Sequence, residues 1–343
     1  MADSTAYTSE KLALILSMVD DEVTSSLTEC NPLFDIVQRW ENTVSDGPFY
    51  RLPSSSQMRL STTGGIEFTF PVRVDALGVT TRMTTESQNL APTQKNQDLR
   101  CVYDVVTVAT PLAIFDLRLN MASGKEAVVD YVTEQTIAAK EDHINELSGA
   151  NYLWSSTSAG GITGLNHAIN TTTGSGVFGG LDRALHTNWT NSTVTTSTYA
   201  VSKEGIRELT QMMATIAGKG GKVGMHVTDA AAFAMFAATQ YGQLQVGSVN
   251  KDPFAGIPVV MGAPVLIDPN LTDDYWYGID LRYMKWYVMP YKRLGNKPAF
   301  ALSTPMKELE KQLGTSFAVV TQGNLCFTKL NTHFVQVISA WSA

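Results

Sequence analysis

The stretch SGKEAVVDYVTEQTIAAKEDHINELSG, residues 123–149, constrains the fold of this chain more than any other. Ser123 and Glu126 form an S-x-x-E capping box, which satisfies orphan N–H groups at a helix start. Gly149 suits the left-handed residue just past a helix end. No proline and no glycine after Gly124 interrupts the body. Helical periodicity sets Val128, Val129, Val132, Ala139 and Leu147 on one broad face, with Asp130, Glu134 and Glu141 opposite. At ~1.5 Å per residue the helix runs to roughly 35–40 Å, more than twice the length of the usual helix of about 11–12 residues. Alone, such a helix fits the surface of an ordinary domain. Its neighbours point further.

Before it, the period changes to two. Ile66, Phe68, Phe70, Val72 and Val74 alternate with Glu67, Thr69, Pro71, Arg73 and Asp75, the pattern of a strand with one apolar face. Pro71 lacks a donor, which confines this strand to an edge or a two-stranded ribbon. Leu99–Thr110 is a second β-rich run, heavy in valine. Residues 76–98 between them are mostly polar, so the two runs predict a long hairpin with a wide polar tip. A lone hairpin is marginally stable in water and its open edges need cover, from its own domain or from a neighbouring subunit. Residues 1 to about 45 predict short amphipathic helices broken at Asn31-Pro32, with a second breaker at Asp46-Gly47-Pro48, an arm that needs something else to lie on.

After the helix, residues 155–179 are rich in Ser, Thr and Gly and read mostly as loop. An α/β alternation follows. Ser202 starts a helix carrying Ile206, Leu209, Met213 and Ile216 and ending at Gly218. Lys222–Val227 reads as a strand, and Asp229 caps an alanine-rich helix. Ile257–Met261 and Pro264–Ile267 read as a hairpin around Gly262-Ala263, and Tyr283–Met289 as a further strand. The end returns to β character at Phe317–Val320, Leu325–Phe327 and His333–Ile338, with a turn at Gln322-Gly323-Asn324.

Charged residues make up only 17% of the 343, against a typical ~25%, which favours burial between subunits. A formal net charge of −7 without a basic block argues against a dedicated nucleic-acid binder. Cys30, Cys101 and Cys326 lack CxxC spacing and read as free or buried thiols in a reducing cytoplasm. The opening MADSTAYTSEK has no basic region followed by an apolar core, so no signal peptide is expected. No apolar run of ~18 residues predicts a membrane span.

Catalytic patterns fail on spacing. Gly218-Lys219-Gly220-Gly221-Lys222 lacks the Ser or Thr of a phosphate loop. Gly174-Ser175-Gly176 lacks the flanking glycines of a nucleophile elbow. His143, His167, His186, His226 and His333 include no metal-ligand pair, and the Asp268, Asp273, Asp274 turn lacks the glycine and terminal Glu of a calcium loop. The expectation is therefore a protein that is not an enzyme, with no cofactor and no metal.

The stretch GVFGGLDRALHTNWTNS is the most specific motif. Gly179-Gly180-Leu181-Asp182-Arg183, followed by Trp189 and Asn191, resembles the "GGIDR…W.N" signature of tailed-bacteriophage major capsid proteins. The order of elements is similar to theirs over most of the chain, with FAGIPVVMGAPVLIDPNL and VTQGNLCF as looser likenesses. The resemblance implies an α+β, Hong Kong 97-like coat fold. Its parts would be an N-terminal arm (1–60), the E-loop hairpin and P-domain strands (61–119), the spine helix of the P-domain (120–153), an A-domain (154–290, its compact part from about 174) and a C-terminal return to the P-domain (291–343). Two departures stand out. The first ~60 residues leave no room for a large fused scaffolding segment, so either scaffolding is a separate protein or this is a processed form. No motif marks Lys95 near the hairpin tip as a crosslinking lysine, so non-covalent joining is expected.

The function so implied is a major capsid protein, assembling through hexamers and pentamers in the bacterial host cytoplasm into an icosahedral phage head. Its partners would be further copies of itself, separate scaffolding and portal proteins, decoration proteins, and enclosed double-stranded DNA bound without sequence specificity, with no membrane. Function would then lie in interfaces: Ile66, Phe68, Phe70, Val72, Val74 and Arg73 on the hairpin, and Val128, Val132, Glu134 and Glu141 on the spine helix. On this reading, Asp at Phe68 and Phe70 leaves a folded subunit that cannot assemble. An encapsulin-like shell enclosing a cargo enzyme is the nearest rival. An α/β enzyme predicts a pocket with converging polar groups, and a tail or tube component is disfavoured by the single long helix.

Overall fold

A computed structural model describes residues 59–61, 65–74, 98–115, 125–157, 161–172, 174–194, 203–234, 236, 259–271, 275–291, 297–298, 300–305, 307–309 and 314–338. The helices expected in residues 1–45, the hairpin tip with Lys95, and Ser123 of the capping box lie outside the described residues.

The described elements open with β1 (Arg59–Ser61), β2 (Glu67–Arg73), β3 (Asp98–Asp104), β4 (Val106–Phe115) and the long helix α1 (Lys125–Ser148). The glycine-rich passage holds α2 (Leu165–Ala168) and a small hairpin of β5 (Val177–Phe178) and β6 (Leu181–Asp182). Next come β7 (Ser192–Val194), α3 (Lys203–Gly218), β8 (Met225–Thr228), β9 (Val259–Val260) and β10 (Ala263–Ile267). They are followed by β11 (Tyr275–Ile279), β12 (Met284–Val288), β13 (Pro290–Tyr291), β14 (Lys297–Pro298), β15 (Leu302–Ser303) and β16 (Lys307–Glu308). The last strands are β17 (Gly314–Phe327) and β18 (Phe334–Val337).

The first sheet is built around β17. One edge pairs antiparallel with β4, from Gly314↔Phe115 to Gly323↔Val106. The other edge takes β16, β15 and β12, and β1 joins β12 in parallel. The turn expected at Gln322-Gly323-Asn324 is not there, because β17 runs straight through it. At Gly323 the strand passes from β4 to β12, and a Cβ there would sit 2.1 Å from the Tyr287 carbonyl oxygen. Glycine serves close strand approach at this point, not chain reversal.

Helix α1 lies on this sheet. Its buried stripe is Val132, Thr136, Ala139, Lys140, His143, Ile144, Leu147 and Ser148, recurring at three and four residues as a helix face must. The expected apolar members Val132, Ala139 and Leu147 are in it, and Asp130, Glu134 and Glu141 are exposed. Its polar members were not anticipated. His143 bridges the Thr110 hydroxyl on β4 (2.9 Å) and the Thr321 hydroxyl on β17 (2.8 Å). Gly149 is not left-handed. The helix closes instead through a tight turn, Gly149 N donating to the Glu146 carbonyl at 3.1 Å.

The second sheet has the order β7-β18-β11-β8-β10-β9. Its far side packs Leu209 and Ile216 of α3 with Phe236, Trp276 and Phe334. Asp229 caps the helix that follows β8, accepting from the backbone of Ala231 and Ala232. The turn between β9 and β10 is Met261-Gly262, one residue earlier than expected, with both residues at positive φ. The glycine-rich passage is core and not linker: Ile162, Leu165, Ala168 and Ile169 are buried.

Burial holds the imidazoles of His143 and His333 down to about 4, and that of His226 to about 3. Unfolded, each takes a proton near 6.5. Their contribution to stability is full above pH 6.5 and is lost as the pH falls through the window from 6.5 to about 4, where only the unfolded chain is protonated. A urea series should lose several kcal/mol of stability between pH 7 and pH 4, on the order of 1.4 kcal/mol for each tenfold difference in proton affinity. A midpoint flat across that window contradicts the burial of these rings.

Candidate assembly site

The hairpin root is where the predicted interface residues gather. β2 and β3 pair only with each other among the described residues, with Phe68 opposite Tyr103, Phe70 opposite Cys101 and Val72 opposite Leu99. Pro71 and Arg73 face outward, so the missing donor falls in a two-stranded ribbon as the alternation predicts. Phe68, Val72 and Val74 are buried, Phe70 is half-buried, and Ile66 is 89% exposed. Ile66 departs from the alternation because the ladder starts only at Glu67, after the Gly65 bend.

The covered face is spent on its own chain. Phe68 and Phe70 lie 5.6 and 4.7 Å from the ring of Tyr287 on β12. The Tyr103 hydroxyl donates to the Phe327 carbonyl at 2.7 Å and accepts from Phe327 N at 3.2 Å. Asp at Phe68 would therefore put a carboxylate in the subunit's own core and break the root. The burial of Phe68 is at odds with the expectation that such a variant keeps its fold. Ile66 is the exposed apolar member of the set. Of the helix residues, Val132 is buried under α1, Glu134 and Glu141 are exposed, and the Val128 side chain lies outside the described positions.

The GGLDR motif clamps this root. Gly179 and Gly180 form the turn between β5 and β6 with φ of 58° and 75°, the left-handed pair that a tight hairpin demands. The Gly179 carbonyl accepts from Val102 N of β3 at 2.9 Å, and a Cβ there would lie 3.3 Å from Cys101 Cβ and the Tyr103 ring. Phe178, buried, packs against Tyr103, Trp189 and Phe327 at 5.7–6.1 Å between ring centres. Trp189 Nε1 donates to the Phe178 carbonyl at 2.9 Å. Arg183 lies buried with its guanidinium 5.0 Å from the Phe178 ring centre and gives Nη2 to the carbonyls of His167 (2.7 Å) and Ala168 (2.9 Å). Burial lowers Arg183 to about 10, so it stays cationic at neutral pH. Asp182 accepts from Ala184 N, and Asn191 donates to the Asn170 carbonyl.

Sequence reasoning missed the partners. Asn324, read as a turn residue, accepts from Thr163 N and donates to the Asp104 carbonyl, tying three segments together. Nothing in the valine-rich run marks Tyr103 as a hub. A cleft of about 530 Å³ opens beside it, lined by Asp104, Val105, Thr163, His167 and Gly179, with Val177 exposed at its edge. Among the described residues no three His, Cys, Asp or Glu side chains are grouped to hold a metal ion.

No family model matches the chain, and no curated protein matches it. Solved structures do. The capsid of cyanophage A-1(L) superposes with a TM-score of 0.59 at 14% identity, over 82% of this chain and 90% of that one. The SrpI encapsulin of Synechococcus elongatus PCC 7942 gives 0.52 at 11%, over 84% and 88%. The capsid of a native GTA particle gives 0.50 at 12%, over 83% and 89%.

The chain has the Hong Kong 97-like coat fold. That coat fold is α+β here, a sheet around β17 carrying the long helix and a second sheet completed by the C-terminal strand β18. Within it the GGLDR motif serves to hold the hairpin root, so its value is tested by stability. Gly179→Ala should cost about 1–2 kcal/mol for the left-handed backbone and more for the contact with Cys101 and Tyr103. Gly180→Ala meets open space and should cost only the backbone part. Equal urea midpoints for the two variants would refute the clamp.

Proposed function

We propose that the chain is the major capsid protein of a tailed-phage head, a structural protein and not an enzyme. Subunits assemble through hexamers and pentamers into an icosahedral shell around double-stranded DNA, in the cytoplasm of a bacterial host. In this reading β2 and β3 are the root of the E-loop, α1 is the spine helix and the second sheet is the A-domain, which takes in β18 from the expected P-domain return and leaves β12 to the first sheet. Scaffolding and portal proteins are separate partners, with decoration proteins on the finished head.

The observation that carries the reading is the coat fold itself, whose likeness to the cyanophage capsid covers nine-tenths of that chain. The acidic balance supports it, because packaged DNA should slide past the wall without sticking. An exposed Ile66 at the hairpin root and a chain poor in charge also fit a subunit that completes its burial against copies of itself. The second reading, an encapsulin-like compartment, is favoured by the likeness to the SrpI encapsulin.

Expressed alone or with a scaffolding protein, the chain should form closed shells, tubes or ring-shaped capsomers in size-exclusion chromatography and negative-stain electron microscopy. Ile66→Asp should keep the far-UV spectrum and melting point of the subunit and cut the yield of particles. Shells that retain a protein cargo and exclude DNA would move the assignment to the compartment. A stable dimer or tetramer under all conditions would overturn both.

A further inference from the structure

The glycine-rich turn after α3, unused by any reading so far, gathers four cations on an acidic protein. Lys219 and Lys222 stand exposed at the turn, Lys219 Nζ donating to the Ser192 hydroxyl at 3.0 Å. Lys329, from the segment after β17, donates to the Lys219 carbonyl at 2.7 Å, and Arg282 reaches the Gly220 carbonyl at 3.4 Å. Arg282 and Lys329 both lie on the ring of Tyr283, at 5.2 and 5.3 Å from its centre. The group is held in place from three directions and does not merely happen to be basic. Its carboxylate, Asp280, is buried under Arg282 and also accepts from Lys222 N. Against that single negative charge the four cations leave a surplus of three.

The exposed face of α1 has the opposite problem. From Asp130 to Ser148 its basic side chains are Lys140 and His143, and both are buried. Glu141, Asp142 and Glu146 are exposed, and no ion pair joins them among the described residues. They crowd the C-terminal half, and the last turn holds no basic residue. Carboxylates at a helix C-terminus are set against the negative end of the helix dipole, an arrangement that cations from outside the helix would relieve.

We propose that the Lys219–Lys222 turn of one subunit docks on the Glu141–Glu146 part of α1 in a neighbouring copy. The inference rests on the shell reading, since it needs copies side by side. A second copy is favoured over nucleic acid as the occupant because each chain carries both halves, surplus cations at the turn and exposed carboxylates on the helix. A head-to-tail contact of this kind can repeat around a ring, which closes where the rotation between copies divides the circle. It sets partner orientation and association rate more than affinity, and salt screens it.

The test is charge reversal in the full chain, scored by light scattering and electron microscopy, with far-UV spectra as the folding control. Lys219→Glu with Lys222→Glu should lower the assembly rate roughly tenfold or more, and Glu141→Lys with Asp142→Lys should do the same. The four substitutions together should recover most of the wild-type rate. Either pair assembling like wild type, or the fourfold variant failing while still folded, overturns the proposal. So does a lysine-pair variant that assembles normally but loses retention of a 30-base-pair DNA duplex, which assigns the turn to phosphates. Wild type, run alongside, keeps the readings apart: if it never assembles, the shell reading fails first.

Discussion

One phenolic oxygen holds the hairpin to the body of the subunit. Tyr103 gives its proton to the Phe327 carbonyl and takes one from Phe327 N, so it occupies both main-chain groups at the end of β17. Burial raises its pKa well above the usual phenol value, which keeps it a neutral donor at any pH the protein meets. The Phe327 ring then touches Phe178 of the GGLDR hairpin on one side and His333 at the entry to the second sheet on the other. A buried donor and acceptor left without Tyr103 would each cost on the order of 1–3 kcal/mol. Hairpin, motif and both sheets therefore share one fixed point.

In the proposed role as a coat subunit, the chain would need such a point. Its reaching elements can place a neighbour accurately only if their roots do not swing, and a two-stranded ribbon has no sheet of its own to steady it. Here Phe68 and Phe70 close over Tyr287, and the turn of Gly179 and Gly180 closes over Tyr103 from the other side. The long helix is held differently. Its underside is partly polar, and His143 spans two threonines on adjacent strands, which fixes the helix along the sheet more sharply than aliphatic packing alone.

Much of this was legible in the chain. The periodicity of residues 123–149 marked the long helix, and the alternation from Phe68 to Val74 marked the buried face of β2, because both signals are local. What failed was decided at long range. Gln322-Gly323-Asn324 has the composition of a turn, yet two partner strands on opposite edges hold it extended, and its glycine answers to the Tyr287 backbone. The Ser/Thr/Gly-rich passage looked like linker because small residues carry no period, while Leu165 and Ile169 were filling the space beneath Trp154 and Phe178. The motif was noticed by likeness, but its work, pinning Cys101 and Tyr103 through Gly179, involves residues some 75 positions earlier, which no local pattern announces.

Hydrogen–deuterium exchange on the isolated subunit and on assembled particles tests the central claim, that the hairpin root is fixed within its own chain before any neighbour arrives. Amides of Val102, Tyr103 and Phe327 should be protected alike in both, because Val102 N is held by Gly179 and Phe327 N by Tyr103 in the single chain. Fast exchange at these amides in the subunit, with protection gained only in the particle, would contradict it and make the root a product of assembly.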